Sequence, residues 1–359
     1  MKLIQVAHAV TQDDAASRHM LNQDHILREI GYDTALYAHK VDPRLADMVQ
    51  EMTSFSAGAD DILIYHMTTG TSFNRWVYNY PDKIVLYYHN ITPAHFFFGN
   101  AWGSWWKCIK GRRDLKKIVS HSFFGWAASE YSRSELETLG LTHTSVLPVI
   151  VEPDRYRQYA VVPELWEKYH DGRLNLLVVG RGVPHKKQDE AIAAIRWYRE
   201  HISPEIRLII IGGIKPSYAK KLHGMVRAGH MEDHVLFAGQ ISNEELCTWY
   251  RLADGVLCLS EHEGFCVPLV EGMIFDKPIF AYSCSAVPET LGDAGVLFSS
   301  KEPALIAQTI YDTLHNPAEM ERMRQGRAER LAFLSPERIR QQVVRDMETI
   351  IGLWREGGH

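Results

Sequence analysis

Glu263 and Glu271 are separated by seven intervening residues, with the turn Gly264-Phe265-Cys266-Val267-Pro268 opening the interval. The run Gly255 to Leu259 just upstream is apolar and reads as a buried strand. A strand, a glycine-bearing turn and then a helix present backbone N–H groups and a positive helix end to an anion. Pro268 suits the first helical turn, where its missing N–H costs nothing. Glu271 then falls near the helix start, beside the anion that binds there. An ionised carboxylate only accepts hydrogen bonds, so a ribose 2′,3′-diol is the guest that suits it.

Two cations complete such a site. Val178-Val179-Gly180-Arg181-Gly182-Val183-Pro184-His185-Lys186-Lys187 follows another apolar run and precedes a helix expected to start near Asp189. Arg181 and Lys186 therefore share one strand-to-helix loop. A departing nucleoside diphosphate gathers negative charge that two fixed cations stabilise, and an arginine can bridge two phosphate oxygens at once. Taken alone, the loop reads first as a solvated basic turn; beside Glu263 and Glu271 that order reverses.

His89 ends the apolar run Ile84–Tyr88, where α/β folds place groups that face ligands. His66 ends a similar run and is read as structural. The loop after the first strand, Ala9 to Ser17, has no glycine. Close backbone approach to a phosphate is therefore not expected there. Asp13 and Asp14 in that loop suit acceptor hydroxyls, and at least one of them suits a helix N-cap.

Glu263 and Glu271, with the intervening Gly-Phe-x-x-Pro, resemble the E-x7-E motif of family-4 retaining glycosyltransferases of the GT-B fold. The resemblance runs on through Asp276-Lys277-Pro278-Ile279 and Ala286 to Gly295, and so covers most of the C-terminal half. It implies an α/β protein with two Rossmann-like parallel-sheet domains facing a cleft. It also implies a donor diphosphate held by Arg181 and Lys186, and a ribose held by Glu271. The transferred sugar would meet Glu263 and the backbone of Gly264, Phe265, Cys266 and Val267, and the base would meet Gly239, Gln240 and Ile241. His89, matching an active-site histidine of the family, would stand opposite Glu263 and act on the sugar with Glu263, Arg181 and Lys186. No metal is implied, and no cofactor beyond the nucleotide-sugar donor. The stretches Tyr88–Pro93 and Glu261–Pro268 are most similar to those of bacterial surface-polysaccharide mannosyltransferases. That points to GDP-mannose and to an oligosaccharide or polyprenyl-diphosphate-linked acceptor. A UDP-sugar donor stays open, because base contacts in this fold are made largely by backbone. A non-catalytic GT-B-like sugar-nucleotide-binding assembly protein is the competing class.

The elements that must position these residues are legible. Apolar runs recur at Leu3–Ala9, Thr34–Ala38, Ile62–Tyr65, Ile84–Tyr88, Gly125–Ala128 and Ser145–Leu147. A second series follows at Leu174–Val179, Arg207–Ile211, Val235–Ala238, Val256–Leu259, Pro278–Ala281 and Gly295–Phe298. Helical patterns alternate with them, which argues for two parallel sheets. With 359 residues, two domains are expected: 1–155 for the acceptor and 156–335 for the nucleotide sugar. Residues 336–359 form a helix expected to return to the first domain. Ser242-Asn243-Glu244-Glu245 is a capping box, and Ser335-Pro336-Glu337 opens the last helix.

Composition limits the partners. A net charge of −5 argues against nucleic acid. Five cysteines with no C-x-x-C pair fit a reducing, cytoplasmic setting, and no apolar run reaches transmembrane length. Residues 96–117 set six aromatics (Phe96, Phe97, Phe98, Trp102, Trp105, Trp106) before six cations. That combination suits an anionic bilayer surface, which would place the protein peripherally at the inner face of the plasma membrane. A partly buried aromatic loop beside a solvated helix is the equal alternative.

Overall fold

The computed structural model describes residues 1–12, 14–99 and 101–357. The chain divides into two compact units, Met1–Val151 with Leu334–His359, and Glu152–Phe333.

The first unit is built on seven strands: β1 (Leu3–Val10), β2 (Thr34–Val41), β3 (Gln50–Glu51), β4 (Ile62–Met67), β5 (Ile84–Tyr88), β6 (Ser122–Ala127) and β7 (Thr144–Val146). Four helices connect them: α1 (Ala15–Glu29), α2 (Phe73–Val77), α3 (Trp102–Ser120) and α4 (Glu130–Thr138). The sheet order is β3-β2-β1-β4-β5-β6-β7, and every pairing is parallel. Strands covered on both faces must be apolar throughout, and β4 and β5 are buried along their whole length. β3 is the exception, a two-residue exposed edge strand without an apolar run.

Helix α3 crosses the chain closely at Gly70. The Gly70 N–H bonds to the Lys107 carbonyl at 3.2 Å, and a Cβ on Gly111 would sit 2.6 Å from the Gly70 nitrogen. Only glycine permits that approach.

The second unit carries helices α5 (Pro153–Arg157) and α6 (Pro163–Tyr169), then strands β8 (Leu174–Val179), β9 (Ile206–Ile211), β10 (Val235–Gly239), β11 (Gly255–Cys258), β12 (Ile279–Tyr282) and β13 (Val296–Phe298). Its other helices are α7 (Gln188–His201), α8 (Pro216–Ala228), α9 (Asn243–Leu252), α10 (Val267–Ile274), α11 (Val287–Leu291), α12 (Pro303–Leu314) and α13 (Pro317–Phe333). The order β10-β9-β8-β11-β12-β13 is again parallel and is the doubly wound Rossmann order. Alternate residues of β8 and β9 feed two cores. Leu176, Val178, Leu208 and Ile210 join one, while Leu177, Ile209 and Ile211 join the other. Ser242 and Glu245 form the expected capping box on α9.

The last helix, α14 (Pro336–Glu356), packs on the first unit. It buries Val343, Met347, Ile350 and Trp354. Trp126 on β6 donates its indole N–H to Asp346 at 2.7 Å. Burial raises the Asp346 pKa, against the pull of that hydrogen bond.

Candidate functional site

In each sheet the strand order reverses once, and loops that leave the two strands flanking that point diverge around a crevice. In the second unit those strands are β8 and β11. The loop after β8 carries Arg181 and Lys186, and the loop after β11 carries Glu263. Sheet pairing thus brings together residues 77 positions apart. Lys186 Nζ lies 2.6 Å from Glu263 Oε1.

Both partners are largely withdrawn from water, with side-chain exposures of 19% and 8%. Burial works against the Lys186 charge, but the Glu263 carboxylate outweighs it, and the ammonium pKa rises. Burial also pushes Glu263 up, and Lys186 outweighs it, so that carboxylate titrates below the usual range. The Glu263 N–H donates to Ser285 Oγ at 2.8 Å, which fixes the turn. Arg181 is different. It is exposed, and its guanidinium has no hydrogen-bond or ion-pair partner among the described residues. Its backbone carbonyl accepts from Gln188 Nε2. His185 between them is buried, and burial with the Lys186 charge takes its pKa down to about 3.

The β8 loop needs its glycines. Gly180 has φ 140°, and a Cβ on Gly212 would collide with the Gly180 carbonyl. The turn into α10 is equally constrained. Cys266 caps it with φ 76°, a left-handed value that costs a non-glycine residue roughly 1–2 kcal/mol. Its Sγ sits 3.7 Å from that of Cys258. The contact holds the Cys258 thiol low and pushes Cys266 up. Gly264 and Val267 are half-buried, and Phe265 is buried, its carbonyl accepting from Thr290 Oγ1 at 2.5 Å. Cys258, Glu263 and Cys266 hold potential metal-ligand atoms within 4.8 Å of one another, with the Lys186 ammonium already against the carboxylate.

Glu271 is the fifth residue of α10, a full turn in rather than at the helix start, and is 3% exposed. Its two oxygens accept the hydroxyls of Tyr156 at 2.8 Å and Tyr250 at 2.7 Å. Sequence reasoning missed both tyrosines. Tyr156 lies on α5, at the expected boundary between the two domains, and Tyr250 lies among the buried residues of α9. Each carboxylate oxygen has a second acceptor site, so two hydroxyls can still be received. Gly239 closes β10 with φ 70°, and Gln240 and Ile241 follow it.

In the first unit the reversal lies between β1 and β4. His89 follows β5, its N–H bonded to the Met67 carbonyl at 3.0 Å. Burial lowers the His89 pKa to about 4. The loop beyond it is anchored: Asn90 sits at φ 72° and donates to Ser132 Oγ at 3.1 Å. Arg112 donates to the Ile91 carbonyl at 2.7 Å and to Glu135 at 2.5 Å. His66 is buried, as its structural reading requires, and bonds to His89 at 3.2 Å. Asp14 is the N-cap of α1, accepting from the Ser17 N–H at 3.1 Å. Asp13 lies outside the described residues.

The aromatic–cationic stretch ahead of and along α3 is split between solvent and protein. Phe98, Trp102 and Trp106 are 60%, 53% and 61% exposed. Lys107, Arg113, Lys116 and Lys117 are exposed, whereas Arg112 and Lys110 turn to Glu135 and Asp114. No helix among the described residues is long and apolar enough to cross a membrane.

The family model for glycosyl transferases group 1 matches residues 167–330. The GDP-mannose-dependent alpha-(1-6)-phosphatidylinositol monomannoside mannosyltransferase of Mycobacterium tuberculosis is 26% identical over 216 residues, 56% of this chain and 55% of that protein. The chain thus spans about half the length, or less, of the curated relatives it matches. Among solved structures, Anabaena HepE in complex with UDP and glucose superposes with a TM-score of 0.76 at 16% identity, over 97% of this chain and 100% of that one. Sucrose-phosphate synthase of Thermosynechococcus elongatus gives 0.72 at 15% identity, over 98% and 100%. The chain has the GT-B fold, with two Rossmann-like parallel-sheet units, and is related in sequence to bacterial glycosyltransferases.

Proposed function

We propose that the protein is a hexosyltransferase that takes its sugar from a nucleoside-diphosphate donor and retains configuration at the anomeric carbon. The observation that carries this reading is the buried Lys186–Glu263 pair at the strand-order reversal, with the unpartnered guanidinium of Arg181 on the same loop. Arg181 and Lys186 bind the diphosphate and stabilise the charge it gains as the glycosidic bond breaks. Glu271, oriented by Tyr156 and Tyr250, receives the ribose diol. Glu263 and the backbone of Gly264, Phe265, Cys266 and Val267 receive the hexose hydroxyls. The backbone of Gly239, Gln240 and Ile241 meets the base. His89 serves the transferred sugar, and Asp13 and Asp14 serve the acceptor.

No side chain here is assigned as a covalent nucleophile. The acceptor oxygen attacks the anomeric carbon on the face that the diphosphate leaves. The bond from that carbon to the β-phosphate oxygen breaks, and the acceptor's proton passes to the departing phosphate. The acceptor is an oligosaccharide or a polyprenyl-diphosphate-linked saccharide of surface-polysaccharide synthesis. The exposed face of α3 meets anionic lipid at the inner side of the plasma membrane.

A UDP-hexose is the donor favoured by similarity over 97% of the chain to a structure that holds UDP and glucose. GDP-mannose is the second reading, favoured by the mannosyltransferase relative that aligns with 56% of the chain. A thermal-shift panel of UDP, GDP, ADP and dTDP decides between them. A ligand at a hundred times its Kd stabilises the native state by about 2.7 kcal/mol. Stabilisation by UDP alone supports the first donor, and by GDP alone the second. No shift with any of the four refutes the reading.

A further inference from the structure

A second cluster of polar groups lies in the first unit, at the reversal between β1 and β4. Gln5 on β1 and His66 on β4 are buried, and His89 follows the neighbouring β5. His66 Nε2 is 2.8 Å from Gln5 Oε1, and His66 Nδ1 is 3.2 Å from His89 Nε2. The Tyr87 ring backs both histidines, its centroid 5.3 Å from that of His66 and 4.4 Å from that of His89.

The chain of bonds has a direction. A carboxamide oxygen only accepts, so His66 Nε2 carries a hydrogen. Burial, with His89 adding to it, lowers the His66 pKa well below its ordinary value, so the ring is neutral and its Nδ1 is bare. A bare Nδ1 must be met by a donor, so the His89 hydrogen sits on Nε2. The other His89 nitrogen, Nδ1, has no hydrogen-bond partner among the described residues.

We infer that Gln5 and His66 are positioning residues that fix His89 as its Nε2–H tautomer and leave Nδ1 as an acceptor for a hydroxyl of the bound sugar. The inference rests on the role proposed for His89 in transfer. Which imidazole nitrogen is protonated is set by the bond the other makes, and here that setting reaches His89 through two buried side chains. A ring so fixed accepts from a hydroxyl and has no proton to offer a phosphate. His66 itself is 3% exposed and acts through His89.

The test is ring-nitrogen NMR on the full 15N-labelled chain, with His89 assigned by the signal missing from His89→Asn. The wild type should show the proton on Nε2 of His89 and a bare Nδ1. His66→Asn, whose Oδ1 can take the place of the imidazole Nδ1, should keep that pattern. His66→Phe and Gln5→Met should release it to a mixture of tautomers. If His66→Phe does not fold, Gln5→Met and the wild-type spectrum still decide. A proton on Nδ1 in the wild type, or an unchanged tautomer in the variants, overturns the inference. Turnover of UDP-glucose or GDP-mannose should fall about 10–100-fold in kcat in His66→Phe, the usual cost of removing an orienting partner, with nucleotide Kd unchanged. An unchanged kcat, or a matching loss of nucleotide affinity, also counts against it. A wild type that consumes neither donor refutes the proposed function, while the tautomer result stands or falls by itself.

Discussion

Replacing Lys186 with methionine removes a charge and keeps the length of the side chain. At 2.6 Å and an effective dielectric constant near 20, the attraction between Lys186 and Glu263 is about 6 kcal/mol. Desolvating both groups offsets a large part of it. What the variant loses is set mainly by Glu263, which stays buried without its partner. Breaking such a pair from one side costs about 3–5 kcal/mol, and the partial exposure of Lys186 favours the lower figure, about 3 kcal/mol. The pH dependence follows from the shifts. Glu263 is depressed in the folded protein, so its contribution is present above the unfolded value of about 4.3 and disappears as pH falls through the folded value. Lys186 is raised, so its contribution is present below about 10.4 and is lost as pH rises through the folded value. Between those limits the pair's contribution to wild-type stability should be flat. In Lys186→Met, burial of Glu263 is opposed only by the weaker pull of Ser260 and His185, its pKa rises relative to the wild type, and the penalty should shrink as pH falls toward 5. Urea unfolding of the full chain, in a cycle with Glu263→Gln, measures this. The double variant should recover most of the loss of Lys186→Met. Single-variant costs below about 1 kcal/mol that simply add in the double would refute the argument.

Glu271→Ala should weaken binding of the cognate nucleoside diphosphate by about 1.5–3 kcal/mol, the worth of hydrogen bonds to a charged group, and unchanged calorimetric affinity in a folded variant would remove the ribose assignment. Arg181→Ala should lower kcat strongly while leaving the urea midpoint unmoved, because the guanidinium has no partner in the protein to lose; normal turnover would refute its role. The exposed Phe98, Trp102 and Trp106 with Lys107, Arg113, Lys116 and Lys117 should carry the protein to anionic vesicles in flotation, less so as salt rises. Equal recovery with neutral vesicles, or none with either, would leave that face as ordinary surface.

The strands were legible because parallel strands covered on both faces must be apolar. Leu174–Val179 and Ile84–Tyr88 appear in the structure with the bounds read from sequence. β3 was not legible, since two exposed polar residues carry no pattern. The cap at Ser242 was legible as local chemistry, and the cap of α1 was narrowed to Asp13 or Asp14, of which the structure shows Asp14. The site was legible only in its parts. Glu263 and Lys186 were each singled out, but as separate contacts to sugar and phosphate. Their mutual ion pair depends on β8 lying beside β11, which is a property of the sheet order. Tyr156 was invisible for a similar reason, since nothing local ties it to a carboxylate 115 residues away. His66 was read as packing. It is packed, and its bonds to Gln5 and His89 join three different strands or strand ends.

The central claim is that the β8 and β11 loops form the donor site of a sugar-transferring enzyme. Release of nucleoside diphosphate from UDP-glucose and from GDP-mannose, measured at excess wild-type enzyme and compared with folded Glu263→Gln, tests it most directly. The account predicts release from one of the two donors by the wild type and its near-complete loss in the variant. No release from either donor, or equal release by both proteins, would contradict it.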